Sequence, residues 1–429
     1  MQRPAPSLVM TGTPAQIGRP LQCALQLAIQ PGITRRSLIG SALALGGCGG
    51  GGGGGLGGGA QGSNAGAVAV GQITGFGSII LNANGVRIDD SLARISDDDG
   101  NDLRGKLKLG MCVAVVSATS TSGAVVAETI TAGGELQGRV EGSPNTTLKT
   151  FVVLGQTVKV DANTVFDSSL ANGFASLATD SIVEVHGLLN AQTNTLTASF
   201  IERKSAPSNF KIQGLVASHN ASAKTFKIGP ILISYSGITP GTQGQVLPAD
   251  GALLRVRLTA VLPPALLPAQ WQATRLRKPE SFGDDRNEFE IEGSITAFTS
   301  AAAFSVNGVP VDASAAVFEQ GAPAALALGA RVEVKGRLIG GTLIAARVKV
   351  EDSATQEREL ELHGTLGNLT ASTFELRGVT VEYGTGVTYR KGTVANLVNG
   401  ARLEVKGVAT SAVGGATRVR ATRIEFESS

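Results

Sequence analysis

Residues 304–312 read Phe-Ser-Val-Asn-Gly-Val-Pro-Val-Asp. Apolar residues alternate with other residues on both sides of Asn307-Gly308, a pair that favours a tight two-residue turn between antiparallel strands. The stretch therefore predicts a β-hairpin with one face turned towards a core. It decides the fold because variants of it recur along the chain.

The hairpin belongs to a unit that occurs five times beyond residue 68. Close copies lie at residues 81–89 and 374–382, and looser ones at 151–161 and 226–234. A later block alternates again, as in Val332-Glu333-Val334-Lys335-Gly336, and an Ala/Thr-rich strand closes the unit. Each unit opens with a glycine before an apolar stretch, at Gly71, Gly138, Gly214, Gly293 and Gly364. This order predicts five short strands per unit.

We predict an all-β fold, a tandem array of about five small five-stranded barrels that resemble the oligonucleotide/oligosaccharide-binding fold. Stretches such as 164–178, 315–328 and 386–399 predict a short helix between the third and fourth strands. Immunoglobulin-like domains need more strands, and a β-solenoid needs a shorter period. The predicted units are repeat 1 (68–135), repeat 2 (136–206), repeat 3 (207–280), repeat 4 (281–354) and repeat 5 (355–429).

The N-terminal segment predicts export. Arg35 and Arg36 precede a short apolar run of small residues, which is typical of a twin-arginine signal. This run is too short to span a bilayer as a helix. We assign residues 1–47 to a lipoprotein-type export signal and expect this leader to be disordered. Residues 48–67, with an unbroken glycine run, are predicted to be a flexible Gly-rich tether.

Cys48 is the predicted lipid attachment site. The residues Leu45-Gly46-Gly47-Cys48 look like the lipobox of bacterial lipoproteins, in which the thiol is alkylated by diacylglycerol. The predicted partner is therefore a membrane, contacted through this anchor. Gly49, rather than Asp, follows Cys48, so we expect a cell-envelope protein in the outer membrane. The leader is long, and Met10 is an alternative translation start.

The charge distribution argues against a nucleic-acid partner. Four arginines and no acidic residue lie in residues 1–47, which leaves 37 − 4 = 33 basic against 34 acidic residues from Cys48 onward. Binding to nucleic acid depends on neutralising phosphates, and a chain of about −1 net charge offers little for that.

The sequence predicts no catalytic residue, no cofactor and no metal site, and hence no enzyme. His186, His219 and His363 lie in three different repeats, and Cys112 stands alone on a predicted buried strand. The acidic stretch 97–102 lacks the ligand spacing of an EF-hand and predicts a solvated turn. The phenylalanines of the hairpins predict core packing, because Leu81 replaces them in repeat 1: Phe151, Phe226, Phe304 and Phe374.

Repeat 3 departs most from the pattern. A Pro- and Leu-rich connection over residues 260–270 leads to Trp271, the only tryptophan of the chain. We interpret Trp271 as packing on a neighbouring repeat, with a partner contact as the alternative. Arg275 and Arg277 follow closely, so a second hypothesis is an enzyme or small-ligand binder with its site in this repeat.

The repeated blocks resemble a bacterial domain family of unknown function that is found in tandem in envelope lipoproteins. The resemblance covers about residues 68–427 and implies no activity, because the family has none assigned. From the residues we predict a membrane-anchored, non-catalytic scaffold or binding protein, with an envelope protein or a polysaccharide as its partner. Weak binding of nucleic acid or oligosaccharide is a further alternative, suggested by the barrel type alone.

Overall fold

A computed structural model describes residues 67–82, 86–98, 100–119, 125–242, 244–261, 270–279, 285–320, 323–351, 359–411 and 417–427. They lie within one structural unit, Gln61–Ser429. The predicted leader with Arg35 and Arg36, the anchor Cys48 and the tether lie outside the described residues. In the described part, no helix is long and apolar enough to span a membrane.

The strands are numbered in chain order. Repeat 1 contributes β1 (Ala67–Phe76), β2 (Ile79–Leu81), β3 (Val86–Ile88), β4 (Arg94–Asp97), β5 (Cys112–Thr119) and β6 (Val125–Ala132). Repeat 2 contributes β7 (Leu136–Asn145), β8 (Thr150–Val153), β9 (Gln156–Lys159), β10 (Val165–Phe166), β11 (Ile182–Asn190) and β12 (Thr195–Arg203). Repeat 3 contributes β13 (Asn209–Asn220), β14 (Thr225–Ile228), β15 (Ile231–Ser234), β16 (Leu253–Thr259) and β17 (Gln270–Arg277).

The last two repeats continue the numbering. Repeat 4 contributes β18 (Arg286–Ser300), β19 (Ala303–Val306), β20 (Val309–Asp312), β21 (Val317–Gln320), β22 (Arg331–Ile339) and β23 (Thr342–Val350). Repeat 5 contributes β24 (Glu359–Thr365), β25 (Thr373–Leu376), β26 (Val379–Glu382), β27 (Thr388–Arg390), β28 (Arg402–Ser411) and β29 (Thr417–Phe426). Single 3₁₀ turns lie at Ser168–Leu170, Gly173–Ser176, Pro323–Ala325 and Val394–Asn396.

Each repeat closes into a small barrel. In repeat 2, β7 pairs with β8, β8 with β9, β11 with β12 and β11 with β7, all antiparallel, and the parallel pair β9–β12 completes the ring. Repeats 3 and 4 close in the same order through the parallel pairs β15–β17 and β20–β23. Single bridges complete repeat 1 (Asp89 with Val126) and repeat 5 (Gly367 with Glu375). The predicted all-β array of five-stranded barrels is confirmed, and repeat 3 closes despite its divergent sequence.

Each stretch expected to hold a short helix contains a 3₁₀ helix, and a short strand that was not expected precedes it. The segment after the third strand forms a short extra strand that pairs parallel with the last strand of its repeat: β4 with β6, β10 with β12, β21 with β23 and β27 with β29. Two 3₁₀ helices follow β10, and one follows each of β21 and β27. The pairs Val165-Phe166 and Val317-Phe318 are β-branched and aromatic, which favours strand over helix at a free sheet edge.

The barrel interiors hold the core. Leu81 and the hairpin phenylalanines are all at most 5% exposed, in agreement with the packing expected of them. The buried apolar side chains form three clusters in the described residues: one shared by repeats 2 and 3, one shared mainly by repeats 1 and 5, and one mainly in repeat 4. The barrels are thus joined to one another through apolar contacts as well as through strands.

Strand β1 joins repeats that are distant in sequence. Its residues Val68–Val70 pair parallel with Phe289–Ile291 of repeat 4, and Gly75-Phe76 pair parallel with Glu361-Leu362 of repeat 5. Repeat 1 therefore shares hydrogen-bonded sheets with both C-terminal repeats. The outer faces of the barrels come together at these joints, which places their polar side chains in partly buried positions.

Candidate functional site

The outer face of repeat 3 carries a row of basic side chains on three neighbouring strands. Ile212, Val256 and Leu276 point into the barrel and are at most 1% exposed, so the residues beside them point outward. In the sheet register, Lys211 lies opposite Arg257, Arg257 opposite Arg275, and Arg255 opposite Arg277. We call these five residues the cationic face: Lys211, Arg255, Arg257, Arg275 and Arg277.

A cavity of about 460 Å³ lies over the cationic face. Lys278 extends its basic wall, whereas Asp97 and Asp98 of repeat 1 and Glu135, just before β7, contribute the acidic groups. This volume is in the range of small-molecule sites. Six basic side chains thus face three carboxyl groups in a concave space between repeats.

Asp98 compensates part of this charge. Its carboxylate lies 3.1 Å from an Arg257 guanidinium nitrogen and 3.4 Å from Lys211 Nζ. Burial alone raises the pKa of Asp98, but the charges of Lys211, Arg255 and Arg257 outweigh that effect and lower it. The prediction of a solvated acidic turn is therefore wrong for Asp98, which is an interdomain ion-pair residue. Asp97 behaves as a turn residue and accepts hydrogen bonds from Asn101.

Lys211 links the cationic face to a second carboxylate. Its Nζ lies 3.0 Å from Glu184 of repeat 2, and Lys204 pairs with the same carboxylate at 2.8 Å. Despite the desolvation of the group, these cations lower the pKa of Glu184 and keep it ionised. Lys211 is thus held in place between repeats 1 and 2.

Arg255 and Arg277 lack such partners. In the described part of the chain, no carboxylate lies within ion-pairing distance of either guanidinium group. Arg255 donates one hydrogen bond of 3.3 Å to the carbonyl oxygen of Gly134, and Nε of Arg277 is buried without a hydrogen-bond partner. Buried donors of this kind are uncommon in proteins and call for an explanation.

Glu135 is the acid of the cavity whose pKa is shifted close to neutral pH. Burial is the main cause that raises its pKa to about 7, against the opposing charge of Arg255. Its carboxylate accepts a 2.9 Å hydrogen bond from the backbone N–H of Gly187. A proton on Glu135 therefore makes the cavity more positive near neutral pH.

The groups behind Glu135 are electrically neutral. Desolvation lowers the pKa of His186 to about 4, and its Nδ1 accepts a hydrogen bond from the backbone N–H of Cys112 at 3.3 Å. Desolvation also raises the pKa of the Cys112 thiol, which lies 3.5 Å from Ser199 Oγ. A thiol that stays protonated is a poor nucleophile and a poor metal ligand. These contacts pack repeat 1 against repeat 2.

Repeat 5 holds a group of three described residues whose spacing would suit a metal ion. Glu361, His363 and Glu404 offer atoms within 4.8 Å of one another. Arg87 and Lys406 pair with Glu361, and Arg423 pairs with Glu404 at 2.6 Å. Although burial opposes it, the hydrogen bonds from His363 and Lys406 lower the pKa of Glu361 to about 2. Because basic side chains already neutralise both carboxylates, the cluster acts as an ion-pair joint between repeats 1 and 5.

Trp271 lies away from the cationic cavity. It is half-buried, and its ring centroid is 5.8 Å from that of Phe210. It lines a separate space of about 280 Å³ with Leu154 and Asp180 of repeat 2. The structure therefore separates Trp271 from Arg275 and Arg277, which the sequence had grouped as one site. A partner contact at Trp271 stays a prediction.

Lys211, Arg255 and Arg257 were not predicted as site residues from the sequence. A signal was present, because Leu254-Arg255-Val256-Arg257 alternates strictly and places both arginines on the same face. Arg275-Leu276-Arg277 does the same on the next strand. What the sequence does not contain is the register that sets these two strands side by side.

Comparison with known families identifies part of the array. Three repeats match a domain of unknown function, DUF5666. The matched segments are residues 137–202, 292–349 and 363–425, in repeats 2, 4 and 5. No curated protein matches the chain. The cationic face lies in repeat 3, outside the segments that match DUF5666.

Proposed function

We propose that the chain is a lipid-anchored protein of the bacterial cell envelope whose repeats form a non-catalytic scaffold or binding surface. Cys48 would carry the lipid anchor, and the signal with Arg35 and Arg36 would direct export. The destination of the protein would be the outer membrane. An envelope protein or a polysaccharide would be its partner. The lipobox-like motif followed by a glycine tether supports the anchoring.

The observation that carries the scaffold role is the use of outer-face polar residues as joints between barrels. Asn82 of repeat 1 donates a 3.1 Å hydrogen bond to Glu290 of repeat 4, and Arg87 pairs with Glu361 of repeat 5. Lys211 of repeat 3 joins Asp98 and Glu184. Polar residues of several repeats thus hold neighbouring repeats together. This favours a structural role for the repeats over a catalytic one.

Metabolic labelling with radioactive palmitate tests the anchor. The full chain, produced in a bacterium that processes lipoproteins, should incorporate label, and Cys48→Ser should abolish it. Cys112→Ser is the matched control, because it removes the half-buried thiol from repeat 1 and leaves the lipobox intact. Label retained by the Cys48→Ser variant, or absent from the unaltered chain, would contradict the proposal.

Localisation tests the export signal separately. Substituting both Arg35 and Arg36 with lysine should retain the protein in the cytoplasm, because the paired arginines are the feature recognised by the twin-arginine route. The unaltered protein should be found with the outer-membrane fraction. Equal distribution of both proteins would exclude this route.

Crosslinking in intact cells, combined with a glycan array, tests the scaffold role. We expect either one reproducible crosslinked envelope protein or one retained class of glycan. A protein that gives neither, while still anchored through Cys48, would contradict the scaffold role and leave the anchoring unaffected.

A further inference from the structure

The cationic face is an arrangement that a sheet does not adopt without compensation. Lys211, Arg257 and Arg275 lie directly opposite one another across three strands, and Arg255 lies opposite Arg277. Like charges at directly opposed positions destabilise a sheet. A group of opposite charge in the cavity would offset this repulsion. We propose that the cavity over the cationic face binds a small multivalent oxyanion, a molecule that carries two or more phosphate or carboxylate groups.

The equivalent positions of repeat 4 show how such a face is neutralised when it only joins domains. There Glu290 lies opposite Lys335, and Lys335 opposite Arg347. Glu292, Glu333 and Lys349 complete the set, which gives three acidic and three basic residues. In repeat 3 the same six positions hold five basic residues and Gln213. The excess of positive charge is therefore a property of this repeat and not of the barrel.

Two of the basic groups are placed to take a ligand. Arg255 and Arg277 line the cavity and have no carboxylate partner among the described residues, and Nε of Arg277 is a buried donor without an acceptor. A guanidinium group presents two parallel N–H donors that match the oxygens of a phosphate or a carboxylate. Lys278, an exposed residue at the rim, adds a third cation.

The spread of the charges sets the class of ligand. Neighbouring strands lie about 4.8 Å apart, so a row across three strands extends about 10 Å. A single carboxylate neutralises one basic side chain of this row, whereas a ligand with two or more linked anionic groups contacts several of them. The described lining of the cavity contains no aromatic side chain on which a nucleobase would stack. A compact polyanion therefore fits better than single-stranded nucleic acid.

Calorimetric titration of the full chain tests the proposal. We expect pyrophosphate and citrate to bind at low ionic strength with one site per chain, with affinities that fall as salt is added. Acetate, which carries a single charge, should bind at least about tenfold more weakly than citrate. Binding of pyrophosphate alone would identify phosphoryl groups as the ligand chemistry, and binding of citrate alone would identify carboxylates. Failure of both anions to bind would overturn the proposal.

Variants locate the site. The double substitution Arg255→Gln with Arg277→Gln should weaken binding at least about tenfold, because charged hydrogen bonds are lost. Lys227→Gln is the matched control, since Lys227 is exposed on β14 of the same barrel and outside the lining. It should bind as the unaltered chain does. Equal affinity of the double variant and the unaltered chain would place the anion elsewhere and exclude this site.

A melting experiment on the unaltered chain needs no variant. Binding to the folded state raises the melting temperature with ligand concentration, so pyrophosphate should raise it more than sodium chloride at equal ionic strength. Equal shifts with both salts would count against the site. The outcome is independent of the Cys48 anchor, so it is separable from the test of the scaffold role.

Discussion

Repeats 3 and 4 form the same barrel but differ on one outer face. This face is formed by β13, β16 and β17 in repeat 3 and by β18, β22 and β23 in repeat 4. In repeat 4 three acidic residues balance three basic ones, and Lys335 lies 3.1 Å from both Glu290 and Glu333. In repeat 3 five of the six equivalent positions are basic, and Asp98 of repeat 1 supplies a carboxylate. Inward positions are fixed by closure of the barrel, whereas outward positions are free to specialise. This comparison separates a face that joins barrels from a face suited to a ligand.

The largest effect is expected at the buried ion pair of repeat 4. Glu292 is 3% exposed and accepts a 2.8 Å hydrogen bond from Nε of Arg331. Arg331→Met leaves this carboxylate buried without its guanidinium partner. We expect a loss of about 4 kcal/mol in the free energy of unfolding, typical of a broken buried pair, measured by urea denaturation.

Arg347→Met is the control for this prediction. Arg347 belongs to the same face of repeat 4 but forms an exposed pair with Glu319, with the two side chains 63% and 40% exposed. A pair of this kind contributes about 0.5 kcal/mol. Similar losses for Arg331→Met and Arg347→Met would show that burial does not distinguish the two pairs.

A bulge glycine distinguishes the same two repeats in the backbone. A Cβ on Gly336 of repeat 4 would lie 2.0 Å from the carbonyl oxygen of Ile344. At the corresponding bulge, repeat 3 has Leu258, which is fully buried. We expect Gly336→Ala to cost about 3 kcal/mol, because the neighbouring strand must move, measured by the shift of the urea midpoint.

Gly384→Ala provides the comparison for Gly336→Ala. A Cβ on Gly384 would meet no atom within 4 Å, and its backbone does not adopt a positive φ. Its stability should change by about 0.5 kcal/mol or less. A stable Gly336→Ala protein would show that the bulge adapts, as it does around Leu258.

The barrels could be predicted from the sequence because strand alternation and turn residues are local signals. Phe304 and Phe374 could be assigned to the core from their place beside a hairpin turn. The joints could not be predicted, since Val68 pairs with Phe289, more than two hundred residues away. The same limit hid the cationic face, whose arginines alternate on two separate strands. The short strand at Val165-Phe166 was not predicted, because the free edge of the last strand was not visible in the sequence.

Glu135 makes the cationic cavity sensitive to pH. Its folded-state pKa is about 7 against an ordinary value of 4.5. A raised carboxyl pKa means that the folded state keeps the proton, so the associated stability is present below pH 4.5 and is lost as the pH rises through 7. We expect Glu135→Gln to be more stable than the unaltered chain by about 2 kcal/mol at pH 8, with a much smaller gap at pH 5.

Two measurements check the role of Glu135. The difference in melting temperature between Glu135→Gln and the unaltered chain should grow as the pH rises from 5 to 8. The pyrophosphate affinity of the unaltered chain should fall over the same range, because Glu135 ionises. His186 acts in the opposite direction, since its depressed pKa of about 4 weakens the fold as the pH falls below 6.5. A constant difference between the two proteins at all pH values would contradict ionisation of Glu135 in this window.

The smallest effect is the most specific to repeat 3. Arg277 lies opposite Arg255 and has no carboxylate partner among the described residues. Arg277→Met therefore removes a like-charge contact, and we expect a gain of about 0.5 kcal/mol at low ionic strength. The gain should disappear at high salt, where the repulsion is screened. In excess pyrophosphate the order should reverse, because the unaltered chain is then stabilised by its ligand. A variant that is less stable under every condition would show that Arg277 has a purely structural role.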